Sequence, residues 1–211
     1  MDSSIQTTSG LTPEQLPQAI ALFDTAFERK MSLAIADVTV RRRFFGEIFS
    51  GQACLGALKD GQVIGAAGFQ TPTDAFSGGL TGRGIPWSTI RRHLGFFQSI
   101  RAALFFKLYE RETDAETLLM DGIFVNEAAR GLGIGRTLLE AIITYGTEHG
   151  FKKVKLGVID TNPRAKALYE RVGFVVQAKK NMGRLKWLLG FGSYYIMIRP
   201  IEPKRSTESK K

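Results

Sequence analysis

The apolar residues of this chain gather into short runs, and the spacing of those runs predicts the elements. In "ACLGALKDGQVIGAAGF", residues 53 to 69, two runs of strand length are separated by Asp60-Gly61, a pair that favours the tight turn of a β-hairpin. "TLLMDGIFV", Thr117 to Val125, reads as a further strand and "KVKLGVI", Lys153 to Ile159, as another. Between them lie a glycine loop and a helical pattern from about Gly133 to Glu148. The order strand, loop, helix, strand predicts a parallel pair.

Punctuating residues bound the rest. Ile5 to Thr8 is a short β-like start, and Thr12, Pro13 and Gln15 read as N-cap, first helical position and capping box of a helix reaching about Lys30. Asp37 opens a second helix through "VTVRRRFFGEIF" that ends near Gly51. Asn162-Pro163 starts a third, stopped by Gly173. A short strand from Phe174 to Ala178 and a longer one from Ser193 to Arg199 close the sheet. The predicted fold class is α/β (α+β mixed sheet): a central twisted sheet flanked by helices, one domain over residues 1–203, then a basic polar tail, 204–211.

An insertion, about 73–113, separates the hairpin from the Thr117 strand. "SGGLTGRGIP" is predicted flexible, and "WSTIRRHLGFFQSIRAALFFKLYERE" a single helix with Ile90, Leu94, Phe97, Leu104, Phe105 and Leu108 on one face and Arg91, Arg92, Gln98 and Ser99 on the other. Trp87, Phe96 and Phe106 widen the apolar surface, and Arg101 falls within it. Three readings are open: a lid over an acceptor cleft, a structural helix on the core, or a peripheral membrane contact through residues 86–110. A homodimer contact is compatible with each. "KKNMGRLKWLLGFGSYY", residues 179–195, is a second basic, aromatic stretch that either cooperates with the insertion or forms a loop before the last strand.

Composition narrows the function classes. With 211 residues, 44% hydrophobic and 23% charged, the chain has the profile of one ordinary globular domain. One cysteine, Cys54, and two histidines, His93 and His149, leave little material for a disulfide or a zinc site, so no metal is expected. The start "MDSSIQTTSG" lacks a signal-peptide pattern, and no uncharged run reaches the roughly 20 residues that span a bilayer; a cytoplasmic protein is expected. A net charge of +9 favours anionic partners. Nucleic acid is not expected among them, because the lysines are spread along the chain and no DNA- or RNA-binding signature is present.

The loop "EAARGLGIGRT", Glu127 to Thr137, carries the candidate chemistry. A helix N-terminus exposes unpaired N–H groups and about half a positive charge, and glycines let a phosphate approach that backbone. A P-loop would need Lys-Ser/Thr after its last glycine, whereas Arg136-Thr137 follow Gly135. A dinucleotide fingerprint needs Gly-x-Gly-x-x-Gly directly after the strand, whereas the spacing here is Gly-x-Gly-x-Gly after "NEAAR", although Asp160 partly supplies its acid.

Arg130-x-x-Gly133-x-Gly135 after a strand ending in Val125 resembles the acyl-CoA pyrophosphate loop of the GNAT superfamily of N-acetyltransferases. "NPRAKALYERVGF", Asn162 to Phe174, is similar to that superfamily's Asn-x-x-Ala-x-x-Leu-Tyr-x-x-x-Gly-Phe block, and "YYIMIRP" to its last strand. The resemblance implies an N-acetyltransferase using acetyl-CoA as cosubstrate and a small-molecule or peptide amine as acceptor. It further implies a cosubstrate site of Arg130, Gly131, Leu132, Gly133, Ile134, Gly135, Arg136 and Thr137, in which the amides of Leu132 to Thr137 receive the pyrophosphate and Arg130 and Arg136 add charge. Ile123, Phe124 and Val125 would splay from the neighbouring strand and pair with the pantetheine arm, the amide of Phe124 or Val125 holding the thioester carbonyl. Asn162 and Ala165 would contact the CoA arm.

Tyr169 would protonate the leaving thiolate. A phenol with a reference pKa of about 10 stays protonated at neutral pH and can donate to a thiolate whose thiol titrates at about 8.5; the alternative is that its ring packs in the stripe of Ala165, Leu168 and Val172. Asp121 is a carboxylate in an otherwise apolar run, which calls for a partner or a function. It is a candidate general base or acceptor ligand, with a salt bridge as the structural alternative. Glu127 reads as a solvated loop acid and His149 as a cation at a helix end. An acyl-CoA-binding sensor without catalysis is the alternative function, as is a membrane-surface protein using the basic insertion.

Overall fold

The hairpin turn shows how local sequence places the sheet. Asp60 and Gly61 both take positive φ, 51° and 77°, the geometry that matches the twist of paired strands, and they join β2 (Cys54–Lys59) to β3 (Gln62–Gln70). The computed structural model describes residues 5–76, 85–108, 114–183, 186 and 190–202. Before the hairpin come β1 (Gln6–Ser9), α1 (Leu16–Ala34) and α2 (Val38–Ile48). After it come α3 (Trp87–His93), α4 (Phe96–Leu108), β4 (Thr117–Val125), α5 (Ile134–Glu148), β5 (Lys153–Ile159), α6 (Pro163–Arg171), β6 (Val175–Asn181) and β7 (Ser193–Pro200). The tail, 204–211, and residues 77–84 and 109–113 of the insertion lie outside the described residues, as do 184, 185 and 187–189 of the second basic stretch.

The sheet has seven strands in the order β1-β2-β3-β4-β5-β7-β6. Among the described residues only β4 and β5 pair in parallel, so the sheet is mixed, as the sequence predicts. That parallel ladder is short, running from Thr117↔Lys153 to Leu119↔Lys155. Beyond it β4 continues to Val125 and β5 to Ile159 without pairing with each other. The sheet therefore opens between its two central strands.

The helices cover both faces. A side chain at Gly65 would meet Ile134 and Leu138 of α5, whereas one at Gly68 would meet Phe76, and one at Gly122 would meet Phe27 of α1. On the α1 face, Phe23 is the hub of the core: its ring touches Phe27, Phe45, Phe49, Phe76 and Phe124 at centroid distances of 4.8 to 6.1 Å. Such pairs add about 0.5–1.5 kcal/mol each beyond their buried area.

The capping box forms, but Thr12 and Pro13 are not the N-cap and first position of α1, whose N-cap is Gln15. Thr12 N–H donates to Gln15 Oε1 at 3.1 Å and Gln15 N–H to Thr12 Oγ1 at 3.3 Å, although regular helix starts only at Leu16 and continues to Ala34. Asp37 caps α2 by accepting from Val40 N–H at 2.8 Å. Buried Asp24 locks α1 to α2: Arg41 Nε donates to its Oδ1, Arg42 Nε to its Oδ2 at 3.0 Å, and Arg41 Nη1 also reaches the carbonyls of Ile35 and Ala36.

The insertion departs from the expected single helix. It breaks at Leu94-Gly95 into α3 and α4, with Leu94 extended. The buried residues of the α3–α4 stretch are Ile90, Leu94, Ser99, Ala102, Phe105 and Phe106, Phe106 stacking on Phe44 of α2 at 5.6 Å. Phe97 and Leu104, expected on the apolar face with Ile90, are exposed instead, because the break rotates α4 relative to α3. Arg101 Nη2 donates to the Ala34 carbonyl at 3.3 Å, and Arg92 and His93 both reach Glu47 of α2. One face of the insertion is thus part of the core.

Candidate functional site

The opening between β4 and β5 leads into a cavity of about 700 Å³. Its walls bring together Ile123, Phe124 and Val125 from β4, Arg130, Gly131, Gly133, Ile134, Gly135 and Arg136 from the loop and α5, and Asn162, Ala165 and Tyr169 from α6. These were separate expectations from the sequence, spread over forty-odd positions, and one crossover places them around one space. Leu132, Thr137 and Asp121 are outside the lining. None of the described residues of the insertion lines it either.

The loop is shaped by a single 3₁₀ turn, Glu127–Ala129, capped by the Asn126 side chain, which accepts from Ala128 N–H. Gly131 and Gly133 then take φ of +90° and +80°, which a residue with a Cβ reaches only under strain. That geometry turns the chain into α5 with its first N–H groups facing outward. Arg136 and Thr137 N–H already donate to the Gly133 carbonyl at 2.9 and 3.1 Å. The donor set expected from the sequence therefore narrows to the turn at Leu132, Gly133, Ile134 and Gly135.

Charge around the mouth comes from more residues than the sequence suggested. Arg130 pairs with Glu127 and Arg136 with Glu140, each at 2.8 Å and exposed. Arg164 and Arg171 of α6 also line the cavity and make no ion pair among the described residues. Seven positions apart, they lie two turns along one helix face with Leu168 between, a periodicity already present in the sequence. Ala26 and Phe27 of α1 complete the lining. No signal in the sequence marks them, because Phe27 reads as one more core phenylalanine. In the structure α1 is kinked there, Phe27 having φ −116° and ψ 15°.

The backbone of β4 distinguishes its amides. Asn126 N–H donates to the Ile64 carbonyl of the chain entering β3, at 2.9 Å, and antiparallel pairs alternate between bonded and non-bonded positions. Phe124, opposite Ala66, therefore turns its N–H to β3. Ile123 and Val125 turn theirs to the open side, where β5 has parted. Of the two amides considered for the thioester carbonyl, only that of Val125 is directed there.

Asp121 sits at a bulge. Gly68 pairs with Gly122 and Phe69 with Met120, so Asp121 is the extra residue of β4, a position that re-aims a side chain. Its carboxylate lies close enough to buried Cys54 to raise that thiol's pKa, adding to the larger effect of burial. Tyr169 is buried, and burial pushes its hydroxyl up to about 12; it remains a proton donor across the neutral range. Asn162 caps α6 by accepting from Ala165 N–H at 3.1 Å, so its side-chain oxygen is committed to that turn. Asp160, the acid that partly fitted a dinucleotide site, accepts from Ser193 N–H and Oγ–H at 2.8 and 2.9 Å and ties β5 to β7.

Known proteins share this fold. The sequence profile of the Acetyltransferase (GNAT) family matches residues 22–174. The spermine/spermidine N(1)-acetyltransferase of Bacillus subtilis (strain 168) is 30% identical over 70 residues, a match that spans 33% of this chain and 46% of that enzyme, so less than half of the relative is represented. An N-acetyltransferase from Staphylococcus aureus Mu50 has a similar fold, with a TM-score of 0.63 at 16% identity over 92% of this chain and 100% of that one. So does a GCN5-related N-acetyltransferase from Kribbella flavida, with a TM-score of 0.62 at 17% identity over 95% and 100%.

Proposed function

The chain belongs to the acetyltransferase (GNAT) family, and from that premise we propose that it transfers an acetyl group from acetyl-CoA to a primary amine by direct attack of the amine on the thioester. The observation that carries this reading is the parting of β4 from β5 beside an anion-receptive helix start. A strand edge with free amides can accept the amide-containing pantetheine arm as an added strand, and the turn at Leu132 to Gly135 offers N–H groups to the pyrophosphate. A cavity of about 700 Å³ edged by Arg130, Arg136, Arg164 and Arg171 supports this choice of cosubstrate.

Each residue then has a task. Arg130, Arg136, Arg164 and Arg171 attract the phosphates. The Val125 amide donates to the thioester carbonyl and stabilises the negative charge that grows on its oxygen during attack. Tyr169 gives its proton to the departing thiolate. Asp121, outside the cavity at the β4 bulge, acts toward the acceptor, either taking the ammonium proton through water or holding the amine's charge. A polyamine is the first acceptor to screen, on the strength of the partial resemblance to the Bacillus subtilis enzyme.

Calorimetric titration of acetyl-CoA into the wild type and Gly133→Glu tests this. The variant adds a carboxylate and a Cβ where φ is +80°, so binding is expected in the wild type and lost in a folded variant. A folded wild type that binds no acetyl-CoA would refute the reading. Binding without turnover of any amine would replace it with an acyl-CoA sensor.

A further inference from the structure

α4 is apolar on two opposite sides. Ser99, Ala102, Phe105 and Phe106 are buried on the side toward α1 and α2. On the other, Phe97 is 84% exposed, Leu104 64% and Ile100 39%, at the i, i+3, i+7 spacing that lines up one helix face. Phe96 adjoins Phe97 at 5.6 Å and is 56% exposed. Arg91, one turn after exposed Trp87, lies over the Phe96 ring at 5.6 Å and links the two helices into one patch. Single exposed apolar residues are ordinary, whereas a contiguous patch marks an interaction surface.

Within the two helices the charged side chains are of one sign. Arg91, Arg92, Arg101 and Lys107 fall within residues 86–108, and that stretch contains no aspartate or glutamate. Arg92 is engaged by Glu47 of α2; Arg91 and Arg101, whose guanidinium groups donate, among the described residues, only to the neutral carbonyls of Leu94 and Ala34, frame the exposed stripe together with Lys107. On a helical projection Arg101 borders the Phe97–Leu104 line on one side and Lys107 on the other. A second copy of the chain is a poor occupant: a twofold contact sets the patch against itself and brings these cations together without a counter-charge. The complementary surface is apolar inside and anionic at its rim.

We propose that the α3–α4 face docks on an anionic lipid surface. α4 lies in the plane of the interface with Phe97, Ile100 and Leu104 entering the acyl boundary, Trp87 and Phe96 at its edge, and the three cations among the phosphates. No helix of the described residues is long and apolar enough to cross a membrane, so the contact is peripheral. The patch is separate from the cavity, since none of its residues lines it. The proposal therefore stands or falls independently of acetyl transfer.

Co-sedimentation of the full chain with phosphatidylserine-containing vesicles, against pure phosphatidylcholine, tests it. The wild type is expected to partition at least roughly ten-fold more strongly to the anionic vesicles, and Phe97→Glu with Leu104→Glu to lose that gain while keeping the wild-type circular dichroism spectrum and acetyl-CoA titration. Because the variant leaves the basic tail untouched, it separates the patch from general charge attraction. Equal partition to both compositions, or undiminished binding by the folded double variant, would overturn the proposal. So would a wild type that ignores vesicles but forms a dimer, or binds an acidic protein, through the same two residues.

Discussion

The ring of Phe27 lies so close over Gly122 that a Cβ on the glycine would stand 3.1 Å from Cζ. This approach couples the kink of α1 to the end of β4 and sets one wall of the cavity. Gly122→Ala must displace the ring, costing about 1–3 kcal/mol of stability as overpacking does and weakening acetyl-CoA binding. Phe27→Leu in the same chain should restore most of both. Unfolding midpoints and calorimetry on the two single variants and the pair check this, and additive losses would show that the two residues are not coupled.

Tyr169 is expected to matter to turnover and not to cosubstrate affinity. Tyr169→Phe should lower kcat by about 10²–10⁴-fold if the phenol is the general acid, with acetyl-CoA binding near wild type. Unchanged turnover leaves the tyrosine only its packing role.

The same residue predicts a pH effect on stability. Its hydroxyl is raised from 10.0 to about 12 by burial, so the folded state holds the proton more tightly than the unfolded one. Its contribution is complete below the unfolded value and is lost as pH climbs from about 10 to 12. Denaturant unfolding should show a shallower alkaline decline in Tyr169→Phe than in the wild type across that window.

Removing Asp24 should destabilise the chain far more than removing its exposed partner. Asp24→Ala leaves Arg41, 1% exposed, as an uncompensated buried charge, at about 3–5 kcal/mol. The Arg42 side chain is 45% exposed, and Arg42→Ala should cost no more than about 1 kcal/mol. Equal losses in urea unfolding would mean that the buried pair is not what locks α1 to α2.

Asp121→Asn separates the two roles proposed for that carboxylate. A rise in acceptor KM at constant kcat identifies it as the ligand of the amine, whereas a fall in kcat with an altered pH profile identifies the base. No change in either removes it from both.

Much of this protein was determined by its sequence, because the signals are local. Asp60-Gly61 fixes the hairpin through φ, Asp37 and Asn162 cap helices three residues away, and Gly131 and Gly133 stand where the backbone must turn left-handed before a helix. The βαβ order around that loop then makes the cavity's main walls foreseeable. What only the tertiary structure decided depends on partners distant in the chain. The early end of the β4–β5 ladder, the bulge that singles out Asp121 and the choice of Val125 over Phe124 as the outward amide follow from strand register, which no single strand specifies. Phe27 becomes a wall residue through a kink, and Phe97 and Leu104 become exposed through a break at Leu94-Gly95. Periodicity tells which residues share a face of a helix; it cannot tell which face the core will take when both are apolar.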